Sequence, residues 1–141
     1  MCPSAQPGME DCRVLGVMEP TDQGARLVYL NQILPATREV EEMAAPAQPA
    51  EIFRFAARCE SSKCTHFDGT DCRLAARVVQ ILPAVVDALP PCLIRPECRW
   101  FAQEGAHACH RCPQVATVNY NADSVLQEVS GTGPVKGPIA W

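Results

Sequence analysis

Cys59-Glu60-Ser61-Ser62-Lys63-Cys64, then Cys72, then Cys92-Leu93-Ile94-Arg95-Pro96-Glu97-Cys98 and Cys109-His110-Arg111-Cys112-Pro113 decide the class of this chain. Together they space as C-x4-C-x7-C-x19-C-x5-C-x10-C-x2-C-P. Of nine cysteines, only Cys2 and Cys12 fall outside this run. An odd count rules out complete internal pairing. The opening Met1-Cys2-Pro3-Ser4-Ala5-Gln6 has no basic start and no apolar core of a signal peptide. The expected compartment is therefore a reducing cytoplasm, where stable disulfides are rare. Crowded free thiols invite oxidation and exchange there, and a bound metal gives them a purpose.

Working outward from the cysteines, the apolar positions Leu74, Val78, Ile81, Leu82, Val85 and Leu89 keep helical spacing. They predict one long helix after a cap at Thr70 or Asp71, kinked or restarted at Pro83 and ended by Pro90-Pro91. Such a strut is about 25 Å at most, at about 1.5 Å per residue, and it separates Cys72 from Cys92. The cysteines then form two groups. Cys59, Cys64 and Cys72 precede the helix and need a fourth ligand, for which His66 is the nearest candidate. Cys92, Cys98, Cys109 and Cys112 follow it and suffice for a [4Fe–4S] cluster or a zinc site. His107 and His110 are further imidazoles in the region. Cys2 and Cys12 read as free thiols isolated from the module.

Soft thiolates select zinc or iron–sulfur clusters. Structural zinc usually takes ligands from close pairs, and only Cys109 and Cys112 form one here. A cubane tolerates irregular spacing, because its corners face different directions, and the Cys112-Pro113 ending is found in bacterial ferredoxin motifs. Arg95, Arg99 and Arg111 lie among the last four cysteines and would offset a cluster's negative charge. One or two [4Fe–4S] clusters are the expected cofactor, with zinc as the alternative. Trp100 and Phe101 read as an apolar wall over the site, or as a surface for electron entry.

The run from Cys92 to Gly105, with Ala108-Cys109-His110-Arg111-Cys112-Pro113, resembles a family of small bacterial proteins labelled "nitrogen fixation protein". The likeness extends over most of the chain. The sequence lacks the C-x2-C-x2-C-x3-C-P run of ferredoxins, so their fold is not implied. It also lacks the C-x3-C-x2-C signature of radical S-adenosylmethionine enzymes.

Before the cysteines, Val14–Met18 and Arg26–Leu30 are short apolar runs flanking Glu19-Pro20-Thr21-Asp22-Gln23-Gly24, which predicts a β-hairpin. Thr37 is placed to cap a helix over 38–44 whose Glu39, Glu41 and Glu42 form a solvated face. Ala45-Pro46-Ala47-Gln48-Pro49-Ala50 reads as a linker. A second helix runs from Pro96 to a stop at Gly105, and Val115–Tyr120 reads as a strand. The expected organisation is α+β. A β-hairpin unit with linker occupies 1–50, a metal-stabilised cysteine-rich module around the long helix occupies 51–122, and a partly disordered tail occupies 123–141, where Ile139 and Trp141 are placed to dock.

The net charge is −4 and the isoelectric point about 5.3, which argues against nucleic acid as a partner. No apolar run approaches the ~20 residues that span a bilayer. There is no Gly-rich phosphate loop, nucleophile elbow or H-E-x-x-H helix. The expected role is electron transfer or redox sensing with a redox partner protein, as carrier or as accessory to an oxidoreductase rather than as an enzyme. The competing role is a zinc-stabilised interaction module without redox activity.

Overall fold

In the computed structural model, residues 1–119, 123–131 and 139–140 are described. The chain is α+β. Strands β1 (Cys2–Ala5), β2 (Arg13–Thr21), β3 (Gly24–Pro35) and β4 (Phe53–Ala57) form an antiparallel sheet in the order β1-β4-β2-β3. The hairpin of β2 and β3 lies where the two apolar runs place it, with Val17 opposite Val28 and a tight turn between Thr21 and Gly24. Gly24 sits at φ 99°, a conformation that only glycine adopts freely. The sheet takes strands from both sides of the Ala45–Ala50 linker, because β4 pairs with β1 and β2.

Strand periodicity assigns β4 to two cores. Phe53, Phe55 and Ala57 face one side with Val14, Ala44 and Ala50, under α1 (Arg38–Glu42) and α2 (Pro49–Ile52). Thr37 caps α1, its hydroxyl accepting from Val40 N–H at 3.4 Å. Ala56 faces the other side with Leu15, Leu74, Val78, Trp100, Val115 and Val129. The second face carries α3 (Arg73–Ile81), α4 (Arg99–Glu104), α5 (Ala106–Arg111) and α6 (Ser124–Ser130). All of β4 is buried, as a strand covered on both faces must be.

The expected long helix is corrected. α3 is nine residues and stops at Ile81, with Leu82 extended at ψ 144°. The ring of Pro83 disfavours helical backbone at the residue before it and removes a donor, and nothing restarts the helix. Val85 and Val86 N–H instead donate to the carbonyl of His110 at 2.8 and 3.3 Å, and Leu89 is exposed. The cap is Cys72 rather than Thr70 or Asp71, its sulfur accepting from Ala75 N–H at 3.4 Å.

α4 ends at Gly105 (φ 66°) as its sequence indicates, and α5 follows at once. The strand expected over Val115–Tyr120 is shorter. β5 is Val118–Asn119, paired with β6 (Ile139–Ala140). Tyr120, Trp141 and most of the tail beyond Gly131 lie outside the described residues. Within the expected tail, α6 is a regular helix capped by Asp123. No described helix is long and apolar enough to cross a membrane.

Both pairings of β2 shift register between Val14 and Gly16. A Cβ on Gly16 would stand 2.2 Å from the carbonyl oxygen of Val28 and 2.6 Å from Leu27. Gly16→Ala should therefore destabilise the protein by roughly 1–3 kcal/mol through overpacking against backbone. Equilibrium denaturation reads this directly, and an unchanged midpoint would show that the hairpin yields without cost.

Candidate metal centres

Two cavities on the helical side of the sheet collect eight of the nine cysteines. The first, of ≈ 20 Å³, is lined by Cys92, Cys98, Cys109 and Cys112 together with Tyr29, Arg95 and Trp100. The second, of ≈ 340 Å³, is lined by Cys2, Cys59, Cys64 and Cys72 together with His66, Arg99 and Trp100. No residue lining the first is exposed, whereas Glu60, Lys63 and Thr65 at the rim of the second are. They are here the enclosed and the outer cavity.

α4 is the wall between them. Trp100 is buried and lines both. Cys98 opens the helix on the enclosed side. On the outer side Gln103 holds both backbone groups of Cys72, its Oε1 accepting from the N–H at 2.8 Å and its Nε2 donating to the carbonyl at 2.9 Å. The start of the chain is fastened to the same helix. The terminal ammonium of Met1 donates to the carbonyl of Glu97, and Arg99 N–H donates to the carbonyl of Met1 at 2.8 Å. This clip, with the pairing of Cys2 opposite Ala57, carries Cys2 into the outer cavity. Reading Cys2 as isolated from the module is thus corrected. Cys12 is elsewhere, its sulfur donating to the carbonyl of Gln6 at 3.7 Å.

His66 lines the outer cavity, but its Nδ1 lies 3.0 Å from Nη2 of Arg77. A guanidinium can only donate, so Nδ1 accepts and the proton of a neutral ring sits on Nε2. Burial, then the charges of Arg77 and Arg73, lower the pKa of His66 and keep it neutral. Neither ring nitrogen then has a free lone pair for a metal. His110 gives its backbone carbonyl to Val85 and Val86, and neither His107 nor His110 lines a cavity described here.

The thiols carry the mark of apolar enclosure. Burial pushes Cys2 up to about 12, with Cys72, Cys59 and Cys64 adding like-charge repulsion. Burial pushes Cys98 up to about 11, and it raises Cys72 and Cys92 as well, in each case with other cysteines of the same cavity contributing. Loading such a site displaces protons from the sulfurs.

Among the described residues, no three Cys, His, Asp or Glu side chains converge closely enough to hold a metal ion. An iron–sulfur cluster spreads its thiolates around a larger body, one to each iron corner. Each cavity supplies four thiols, the number a cubane takes. Each also has an arginine with a buried Nε–H that lacks a partner, Arg95 at the enclosed cavity and Arg99 at the outer one. Such an orphaned donor is costly, and the sulfides of an anionic cluster would satisfy it. In number and kind the thiols are those that two clusters would need.

Sequence reasoning missed Cys2, Arg54 and Tyr29. Arg54, on β4, is entirely buried. Its Nε donates to the carbonyl of Pro3 at 2.8 Å, its Nη1 to the carbonyls of Val115 (3.0 Å) and Cys112, and its Nη2 to the Cys112 sulfur at 2.9 Å. Its guanidinium carbon is 5.8 Å from the ring centre of Trp100. Compared with protein-family models, with curated proteins and with solved structures, the chain shows no match.

Because Nδ1 of His66 is engaged by Arg77, His66→Gln should leave the metal content of the purified protein at the wild-type value. Elemental analysis of the variant checks this, and loss of metal would make His66 a ligand.

Proposed function

We propose that this protein carries two [4Fe–4S] clusters and transfers electrons, one cluster held by Cys92, Cys98, Cys109 and Cys112 and the other by Cys2, Cys59, Cys64 and Cys72. The supporting observation is the division of eight cysteines into two sets of four, each beside an arginine with a partnerless buried N–H. When bound, the clusters would supply one-electron redox chemistry. The chain supplies the rest. It desolvates the enclosed site, leaves the outer site within reach of a partner at an exposed rim, and places a single indole between them. The outer site is where a redox partner protein would meet the chain, either as a carrier or as accessory to an oxidoreductase. Cys2, rather than His66, is the fourth ligand of the outer site.

Anaerobically purified protein should be brown, with about eight iron and eight sulfide per chain if both sites hold four-iron clusters. Colourless protein with one or two zinc ions per chain would instead favour a structural interaction module. Cys2→Ser should lose about half of the iron while Cys12→Ser keeps all of it. Equal iron in the two variants would remove Cys2 from the site.

Metal should also act as a folding element. α4 and α5 are six residues each, far below the ~12–15 at which a helix stands alone in water, and the stretch from Pro83 to Ile94 has no regular element. Removing the iron should abolish amide-exchange protection over 90–113 while the hairpin of β2 and β3 keeps its own. Protection of 90–113 that survives in the apo protein would show the module to be self-sufficient.

A further inference from the structure

The two clusters do not by themselves account for Arg54. A fully buried guanidinium needs an anion, since an unpaired charge in the interior costs several kcal/mol even after relaxation. Its acceptors are three neutral carbonyls and one sulfur, and it takes part in none of the ion pairs found among the described residues. The sulfur among those acceptors belongs to Cys112, one of the four thiols of the enclosed cavity. Tyr29 lines the same cavity, and burial followed by the neighbouring Cys112 raises its pKa. Cys112 thus receives a cation inside a cavity with no exposed lining residue.

The outer cavity is treated differently. Its sulfurs receive backbone N–H groups, from His66 to Cys64 and from Ala75 to Cys72, both at 3.4 Å, and a distant hydroxyl from Ser61 to Cys59 at 4.0 Å. Among the described residues no charged side chain donates to any of them.

We infer that Arg54, acting through the Cys112 sulfur, sets the reduction potential of the enclosed site and so fixes its level against the outer site across Trp100. This rests on the two-cluster reading above. One-electron reduction adds a negative charge to the cluster. A fixed cation at a ligating sulfur stabilises that added charge more than the oxidised state, so it raises the potential. Enclosure pulls the other way, because a low-polarity cavity resists added charge. Arg54 offsets that pull. Were both groups bound, an external one-electron donor would supply the electron at the outer site, and the enclosed site, poised by Arg54, would take it up, one oxidised by one electron as the other is reduced by one. No bond is made or broken and no proton moves. Arg54 is a positioning residue, because it acts on the cluster through Cys112.

The test is a dithionite titration of the anaerobic holoprotein followed by electron paramagnetic resonance. The reductive wave missing from Cys2→Ser belongs to the outer site, and the remaining wave to the enclosed one. Arg54→Gln should move the enclosed wave to a more negative midpoint and leave the outer wave in place. Arg54→Lys, which restores the charge, should recover the larger part of the shift but not all of it. An enclosed wave that stays put in Arg54→Gln would overturn the inference, and so would an equal shift of both waves. Should Arg54→Gln fail to hold its cluster, Arg54→Lys decides, since it keeps the charge but loses the guanidinium's fork on Cys112, and a midpoint equal to the wild-type value there is a negative answer. Wild-type protein without iron would sink the two-cluster reading itself, and this inference with it.

Discussion

The guanidinium of Arg54 is the joint on which the two halves of the molecule meet. Its planar fork reaches three carbonyls and a sulfur from one buried position on β4. One of those carbonyls belongs to Pro3, beside Cys2; two others, with the sulfur, belong to the turn that carries Cys112 to Val115. A lysine carries one compact donor head and could not hold these directions at once. One side chain thus ties the first strand to the last cysteines, beside the Met1 clip and the pairing with β4, with the face of Trp100 close by.

From that joint the difference between the cavities follows. The sheet closes one side of the enclosed cavity, while α4 and α5 close another, so its thiols sit among apolar groups with the guanidinium of Arg54 at the Cys112 sulfur. The outer cavity is framed by the loop from Cys59 to Cys72, which has a single 3-10 turn and polar residues at its edge. α4 serves both sides: Cys98 and Trp100 look to the enclosed cavity, while Gln103 grips the backbone of Cys72. A change on one side of this helix is felt on the other through rigid packing rather than through a flexible hinge.

Local signals were legible where chemistry is local. The hairpin followed from two apolar runs on either side of a Pro- and Gly-bearing turn, the start of α1 from Thr37 and the end of α4 from Gly105. The division of Cys59, Cys64 and Cys72 from Cys92 and its followers could also be read, although the reason given for it, a long helix, was mistaken. Pro83 ended the apolar periodicity of α3 outright, because tertiary bonds from the His110 carbonyl captured the backbone that would have continued it. β4 gave no signal of its own. Phe53-Arg54-Phe55 looks like a half-exposed strand with its arginine in water, and only the layer of helices on the second face shows otherwise. Cys2 was out of reach for a different reason. Its place beside Cys59 and Cys72 depends on pairing with Ala57 and on the clip between Met1 and α4, and neither leaves a trace in local spacing.

The strand order has a consequence for the growing chain. β1 pairs with β4, and the backbone of Met1 is held by Glu97 and Arg99. The first strand thus has no partner until β4 is made, its ties to Glu97 and Arg99 wait for α4, and closing so long a loop carries an entropic cost that only the finished contacts repay. The cysteines that line the outer cavity are all present once Cys72 is made, whereas the enclosed cavity waits for Cys112. The two sets of thiols are therefore completed in order, the outer one first.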